Sequence, residues 1–153
     1  MSPQNPHVLL VCVANYCRSP VLECIFREKF GHALSFSSAG LQPLPKADMD
    51  PRSRAFLLAQ GFSPRIHNPK PLSPASVKRS QLILAADMPV LQALNRKYKR
   101  HTKKIKLATL FNPKIGLPDP FKAGEQDYQQ VMEGILELAN SIQAQDLIAL
   151  TAG

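Results

Sequence analysis

The sequence predicts an α/β fold: a single-domain, three-layer sandwich with a four-stranded parallel sheet and helices on both faces. Strand-like and helix-like segments alternate along the chain, the pattern of a parallel sheet covered on both sides. A length of 153 residues with 44% hydrophobic content suits one domain, 1–153, around one core. An apolar run also breaks abruptly at Cys12-Val13-Ala14-Asn15-Tyr16-Cys17-Arg18-Ser19-Pro20, a loop between a strand signal and a helix signal.

The elements follow in order. The first strand is expected over His7 to Cys12, and the first helix from Pro20 to about Phe30, closed by Gly31. Ser19 stands as its N-cap and Pro20 at its first position. A second strand is expected near Leu34 to Ser38. A second helix follows, with Asp50 as N-cap, Pro51 at its first position and an end before Gly61. Phe62 to Pro74 carries Pro64, Pro69, Pro71 and Pro74 and reads as loop. The third strand is Gln81 to Ala86, and the third helix begins near Asp87 with Pro89 in its first turn. The fourth strand is Ile105 to Leu110, and a loop over 112–124 leads to the last helix, Glu125 to about Ile142. There Tyr128, Val131, Ile135, Leu138 and Ile142 recur every three or four residues, which makes them core. Residues 144–153 are expected to pack as an extension or to fray.

Within the first loop, Cys12 and Arg18 stand six residues apart. A strand delivers Cys12, and the loop amides of Val13, Ala14, Asn15, Tyr16, Cys17, Arg18 and Ser19 can turn inward ahead of a helix N-terminus. Such a cradle favours a dianion, and Arg18 can clamp two of its oxygens in a bidentate fork. The same positive surroundings favour the thiolate of Cys12, the form that attacks. The loop is therefore predicted to be a phosphate-binding loop after strand one with a nucleophile at its floor. In open parallel sheets, ligands bind beyond the carboxyl ends of the strands, where the Ser38 and Asp119 segments are expected to join it.

Composition excludes other classes. No apolar run approaches the ~20 residues that span a bilayer, no signal-peptide pattern opens the chain, and three cysteines make no disulfide framework. A cytoplasmic protein without membrane insertion is expected. The formal charge is +8, densest from Arg96 to Lys106. With 7% aromatic residues and no nucleic-acid motif, that patch reads first as a solvated helix end and second as a docking surface for an acidic phosphoprotein segment, rather than as a nucleic-acid surface. No cluster of His or Cys has the spacing of a metal site, and no cofactor is called for.

The Cys12 loop resembles the active-site loop of the low-molecular-weight protein tyrosine phosphatases, and the resemblance runs over nearly the whole chain. Ser38-Ala39-Gly40 and Asp50-Pro51-Arg52 fit it, and Leu117-Pro118-Asp119-Pro120-Phe121 resembles the family's Asp-Pro-aromatic signature. The Leu41 to Leu44 segment lacks Trp and Tyr and looks like the bacterial subgroup that serves tyrosine autokinases of exopolysaccharide export. The resemblance implies hydrolysis of phosphotyrosine in proteins through a phosphocysteine. Cys12 would be the nucleophile, Arg18 the phosphate clamp and Asp119 the general acid. Ser19 would support the thiolate, with Asn15, Ser38 and His67 buttressing the loop and Tyr16, Leu44 and Phe121 walling the substrate slot. The implied partners are a tyrosine-phosphorylated protein and such an autokinase.

The chain departs from the family at Ala14, where Gly is usual, and at Tyr16, where an aliphatic residue is usual. His67-Asn68-Pro69-Lys70-Pro71 replaces a His-x-x-Arg-Gln pattern. An arsenate reductase of this fold would have to use external thiols, because no Cys follows Cys24. Phosphoarginine phosphatases favour Thr where Tyr16 stands. A non-catalytic phosphotyrosine-binding module has no need of Asp119 beside Cys12 and Arg18. Cys12 and Cys17 share one tight loop, and a reversible disulfide between them is expected under oxidation.

Overall fold

The computed structural model describes residues 5–152. Four parallel strands, β1 (His7–Cys12), β2 (Ser35–Gly40), β3 (Leu82–Ala85) and β4 (Ile105–Leu107), form one sheet in the order β2-β1-β3-β4. The strand order reverses at β1, with β2 on one side and β3 and β4 on the other, so the loop leaving Cys12 emerges at the switch point where ligands of such sheets bind.

Alternation along β1 builds both layers. Val8 and Leu10 face the core shared with α1 (Arg18–Phe30), α2 (Pro51–Ala59) and α5 (Glu125–Asn140). Leu9 and Val11 face Val77 of α3 (Pro74–Arg79) and Val90 and Leu94 of α4 (Met88–Lys97). The expected stripe of α5 and its continuation, Tyr128, Val131, Ile135, Leu138 and Ile142, is buried throughout.

Four expectations are corrected. Ser19 does not cap α1: the helix starts at Arg18 with Cys17 as N-cap and no side-chain cap, because the Ser19 hydroxyl is turned to Cys12 and Asn15. β2 starts one residue later and ends two residues later than expected, since it pairs with β1 as far as Cys12↔Gly40. The stretch expected as loop up to Pro74 ends in a helix: α3 has Pro74 at its first turn and a reciprocal capping box between Ser73 and Ser76. β4 stops at Leu107, the partner of the last residue of β3, and a 3-10 turn covers Ala108–Phe111. Of the two alternatives for the chain after Gln143 the packed extension is the one observed: it forms α6 (Ala144–Thr151), which buries Leu147.

The basic stretch lies at the amino-terminal edge of the sheet, away from Cys12, in a 3-10 helix over Lys99–Lys104 that leads into β4. Lys104 is structural there, its Nζ donating to the carbonyls of Val77 at 2.6 Å and Ser80 at 2.7 Å.

Candidate active site

The geometry of the Cys12 loop follows from its carbonyls. Those of Cys12, Val13 and Ala14 accept from the amides of Leu41, Gln42 and Leu44 at 3.1, 2.8 and 3.1 Å. The Asn15 carbonyl meets His67 Nε2 at 2.8 Å, the Tyr16 carbonyl accepts from the Asp50 amide at 2.9 Å, and the Cys17 carbonyl from the Ser53 hydroxyl at 3.0 Å. Six consecutive carbonyls thus point outward. A trans peptide sets each N–H opposite the preceding C=O, and no cis bond occurs among the described residues. The N–H groups of Val13 through Arg18 consequently face the loop's interior, over Cys12, as a nest for an anion at the start of α1.

Asn15 makes this turn possible. Its φ of 52° is left-handed, which Asn tolerates better than most residues. Its side-chain amide donates to Ser19 Oγ at 2.7 Å and Ser38 Oγ at 3.0 Å, while its Oδ1 accepts from the Lys70 amide at 3.0 Å. Ser38 in turn donates to Glu23 Oε1 at 2.5 Å. Because Ser19 Oγ accepts from Asn15, its own proton is available to Cys12 Sγ, 3.0 Å away, and the Asn15 N–H lies 3.2 Å from the same sulfur. Two donors therefore converge on Sγ. Ala14 stays out of the left-handed region, which explains why a residue with a Cβ is tolerated there. Gly40 is not replaceable in that way, since a Cβ would lie 2.7 Å from the Val13 carbonyl oxygen.

Arg18 is buried, and its NH1 donates to Asp87 Oδ2 at 2.6 Å and the Leu117 carbonyl at 2.7 Å. The sequence places Asp87 only near the start of the third helix; it is the N-cap of α4, its Oδ1 accepting from the Val90 amide at 2.9 Å. Its other oxygen orients the guanidinium, and nothing local in the sequence signals that second partner. Asp119 Oδ2 stands 3.9 Å from Arg18 NH2, on a half-exposed side chain whose Oδ1 accepts from the Phe121 amide at 3.1 Å.

The Asp119 segment is fastened by Arg52, another residue the sequence did not single out for the site. Its guanidinium donates to the carbonyls of Phe121 at 3.1 Å and Ala123 at 3.0 Å. It lies 3.8 Å from the centre of the Tyr128 ring and pairs with Asp50 at 2.9 Å. Tyr16 and Phe121 meet edge to face with centroids 5.9 Å apart and form an aromatic wall. Leu44 is tied to the same rim through the Ala14 carbonyl.

Burial lowers the pKa of His67, so the ring is neutral near pH 7 and offers Nε2–H to the Asn15 carbonyl. The Cys17 thiol lies 3.8 Å from Asp50 Oδ2, and burial pushes it up to about 12. Asp48, held bidentately by Arg54 and by the His67 amide, is lowered to about 2 and braces the 65–70 segment.

The sequence profile of the family described as low molecular weight phosphotyrosine protein phosphatase matches residues 7–147. A low molecular weight protein-tyrosine-phosphatase of Streptomyces coelicolor is 29% identical, over 82% of this chain and 84% of its own. The Salmonella typhi enzyme Wzb is 27% identical, over 81% and 83%. Among solved structures, the tyrosine phosphatase Wzb of Escherichia coli K30 with sulphate superposes with a TM-score of 0.84 at 20% identity, over 94% of this chain and 99% of that one. The low molecular weight protein tyrosine phosphatase of T. tengcongensis gives 0.81 at 25% identity, over 90% and 97%.

Proposed function

The chain belongs to the low molecular weight phosphotyrosine protein phosphatase family, and from that premise we propose that it hydrolyses phosphotyrosine in proteins through a phosphocysteine formed on Cys12. It is a cysteine-dependent protein-tyrosine-phosphatase by kinship; the assignment of roles to residues is our reading.

In the first step Cys12 Sγ attacks phosphorus in line. The S–P bond forms as the P–O bond to the phenol breaks, and Asp119 gives its proton to the departing oxygen. In the second step water attacks phosphorus, Asp119 takes a proton from it, and the S–P bond breaks to release inorganic phosphate and the thiolate. Throughout, Arg18 and the inward amides carry the charge on the equatorial oxygens. Ser19 and the Asn15 N–H stabilise negative charge on Sγ both before attack and as it leaves. Asn15, Ser38 and His67 hold the loop in shape, and Tyr16, Leu44 and Phe121 flank the substrate ring. The observation that carries this reading is the set of six outward carbonyls, which commits the loop's N–H groups to an anion above Cys12.

The substrate we propose is a tyrosine-phosphorylated protein, with a tyrosine autokinase of exopolysaccharide export as the partner that the sequence resemblance implies. A cytoplasmic setting is supported by three free cysteines. No helix among the described residues is long and apolar enough to cross a membrane.

The test compares hydrolysis of an aryl phosphate and of a phosphoserine peptide by wild type and Cys12→Ser. Wild type should cleave the aryl ester and spare phosphoserine, while Cys12→Ser should melt like wild type and show no turnover. Substantial turnover by the folded variant would sink the covalent mechanism.

A further inference from the structure

Behind the Cys12 loop, between α1 and the 65–70 segment, lies a cavity of about 230 Å³. At about 30 Å³ per water molecule, that is room for a tetrahedral oxyanion and several waters. Arg27, Arg65, Lys70 and His67 line it against one carboxylate, Glu23. Glu23 is already engaged on both oxygens, by Arg27 and by the Ser38 hydroxyl. Nearby Glu28 accepts from the Ser63 amide and the Cys24 thiol. Neither Arg65 nor Lys70 forms an ion pair among the described residues. The cations press on one another: burial and then Arg65 lower Arg27, while burial and then Arg27 and Arg79 lower Lys70. A cluster of this kind lacks only its counter-charge.

We propose that this cavity is a second anion site, distinct from the mouth above Cys12, that takes a phosphate-class tetrahedral oxyanion and communicates with the catalytic loop. Communication follows from the walls, because three of them end on Asn15. His67 Nε2 meets its carbonyl at 2.8 Å, and the Lys70 amide meets its Oδ1 at 3.0 Å. Glu23 reaches its Nδ2 through Ser38. An anion drawing Arg65 and Lys70 toward Arg27 pins the 65–70 segment onto α1 and thereby stiffens the one left-handed residue of the loop. Phosphate at the mouth competes with substrate and raises KM alone; phosphate in the cavity also changes kcat.

Calorimetric titration separates the two sites. Wild type is first saturated with benzylphosphonate, which fills the mouth and cannot be hydrolysed, and is then titrated with inorganic phosphate or with O-phosphoserine. Phosphate should still bind, and Arg65→Gln/Lys70→Gln, checked for its fold by thermal melt, should weaken that binding at least tenfold. Binding of O-phosphoserine as well would identify a phosphorylated chain as ligand; its rejection would identify the free anion. Without benzylphosphonate, wild type should take two phosphates and the double variant one. A single phosphate in wild type, or affinity in the saturated protein unchanged by the double substitution, overturns the proposal. Failure of benzylphosphonate to bind would instead count against the catalytic reading, since the two-to-one comparison does not depend on it.

Discussion

The two loops that meet at the mouth are built on opposite terms. From Cys12 to Cys17 every carbonyl accepts a hydrogen bond from outside the loop, and Asn15, Arg18 and Ser19 are buried. The loop over 112–124 contains Pro113, Pro118 and Pro120, and its Asp119 side chain is 44% exposed. Arg52 fastens it at two carbonyls, and the nearest cation to Asp119 is 3.9 Å away. The difference matches the proposed division of labour. Charge on phosphoryl oxygens is best met by dipoles that need no reorganisation, whereas a general acid must reach a leaving group and later a water. Fixity belongs to the first task and access to the second.

Substitutions in the two loops should therefore fail differently. Asp119→Asn should lower turnover of phosphotyrosine by roughly 10²–10⁴-fold while leaving the melting temperature unchanged, because the side chain is half exposed and makes one backbone contact. A large drop in melting temperature would make Asp119 structural. Asn15→Ala should do the reverse. It places Ala in the left-handed region, takes one donor each from Ser19 and Ser38, and leaves the Lys70 amide without its acceptor, for a stability loss of about 1–3 kcal/mol. Its activity should fall roughly tenfold as the nest loosens, and a melt like that of wild type would break the account of the cradle. Cys17→Ser tests the smallest effect. Peroxide converts the Cys12 thiolate to a sulfenic acid, and attack by the Cys17 sulfur releases water and forms the proposed disulfide. A Cys17 thiol pushed up to about 12 attacks slowly at neutral pH, so the fraction of activity that dithiothreitol restores should rise with pH in wild type. It should stay low in Cys17→Ser; equal recovery by both proteins would remove Cys17 from any protective role.

Much of the cradle was legible because its signals are local. The apolar run of β1, the Cys12 to Arg18 spacing and the helix start lie within a few residues of one another. The Asp50 cap was legible for the same reason. The site contacts of Asp87 and Arg52 were not, since their partners lie 69 to 71 residues away in sequence. Proline misled in one place: Pro74 adds to a run that reads as loop, yet a proline at the first turn of a helix starts α3 instead of preventing it. Ser19 misled in another, because a Ser before Pro has the look of a cap. Its hydroxyl goes instead to the sulfur and to Asn15, which leaves the end of α1 without a side-chain cap, as an anion there requires.

The contrast between a fixed cradle and an accessible acid is tested most directly by kcat/KM over a series of aryl phosphates with falling leaving-group pKa, measured for wild type, Asp119→Asn and Asn15→Ala. The deficit of Asp119→Asn should shrink steadily as the leaving group needs its proton less, while that of Asn15→Ala should stay constant across the series. Parallel deficits for the two variants would contradict the account, since Asp119 would then act as a part of the cradle and not as its acid.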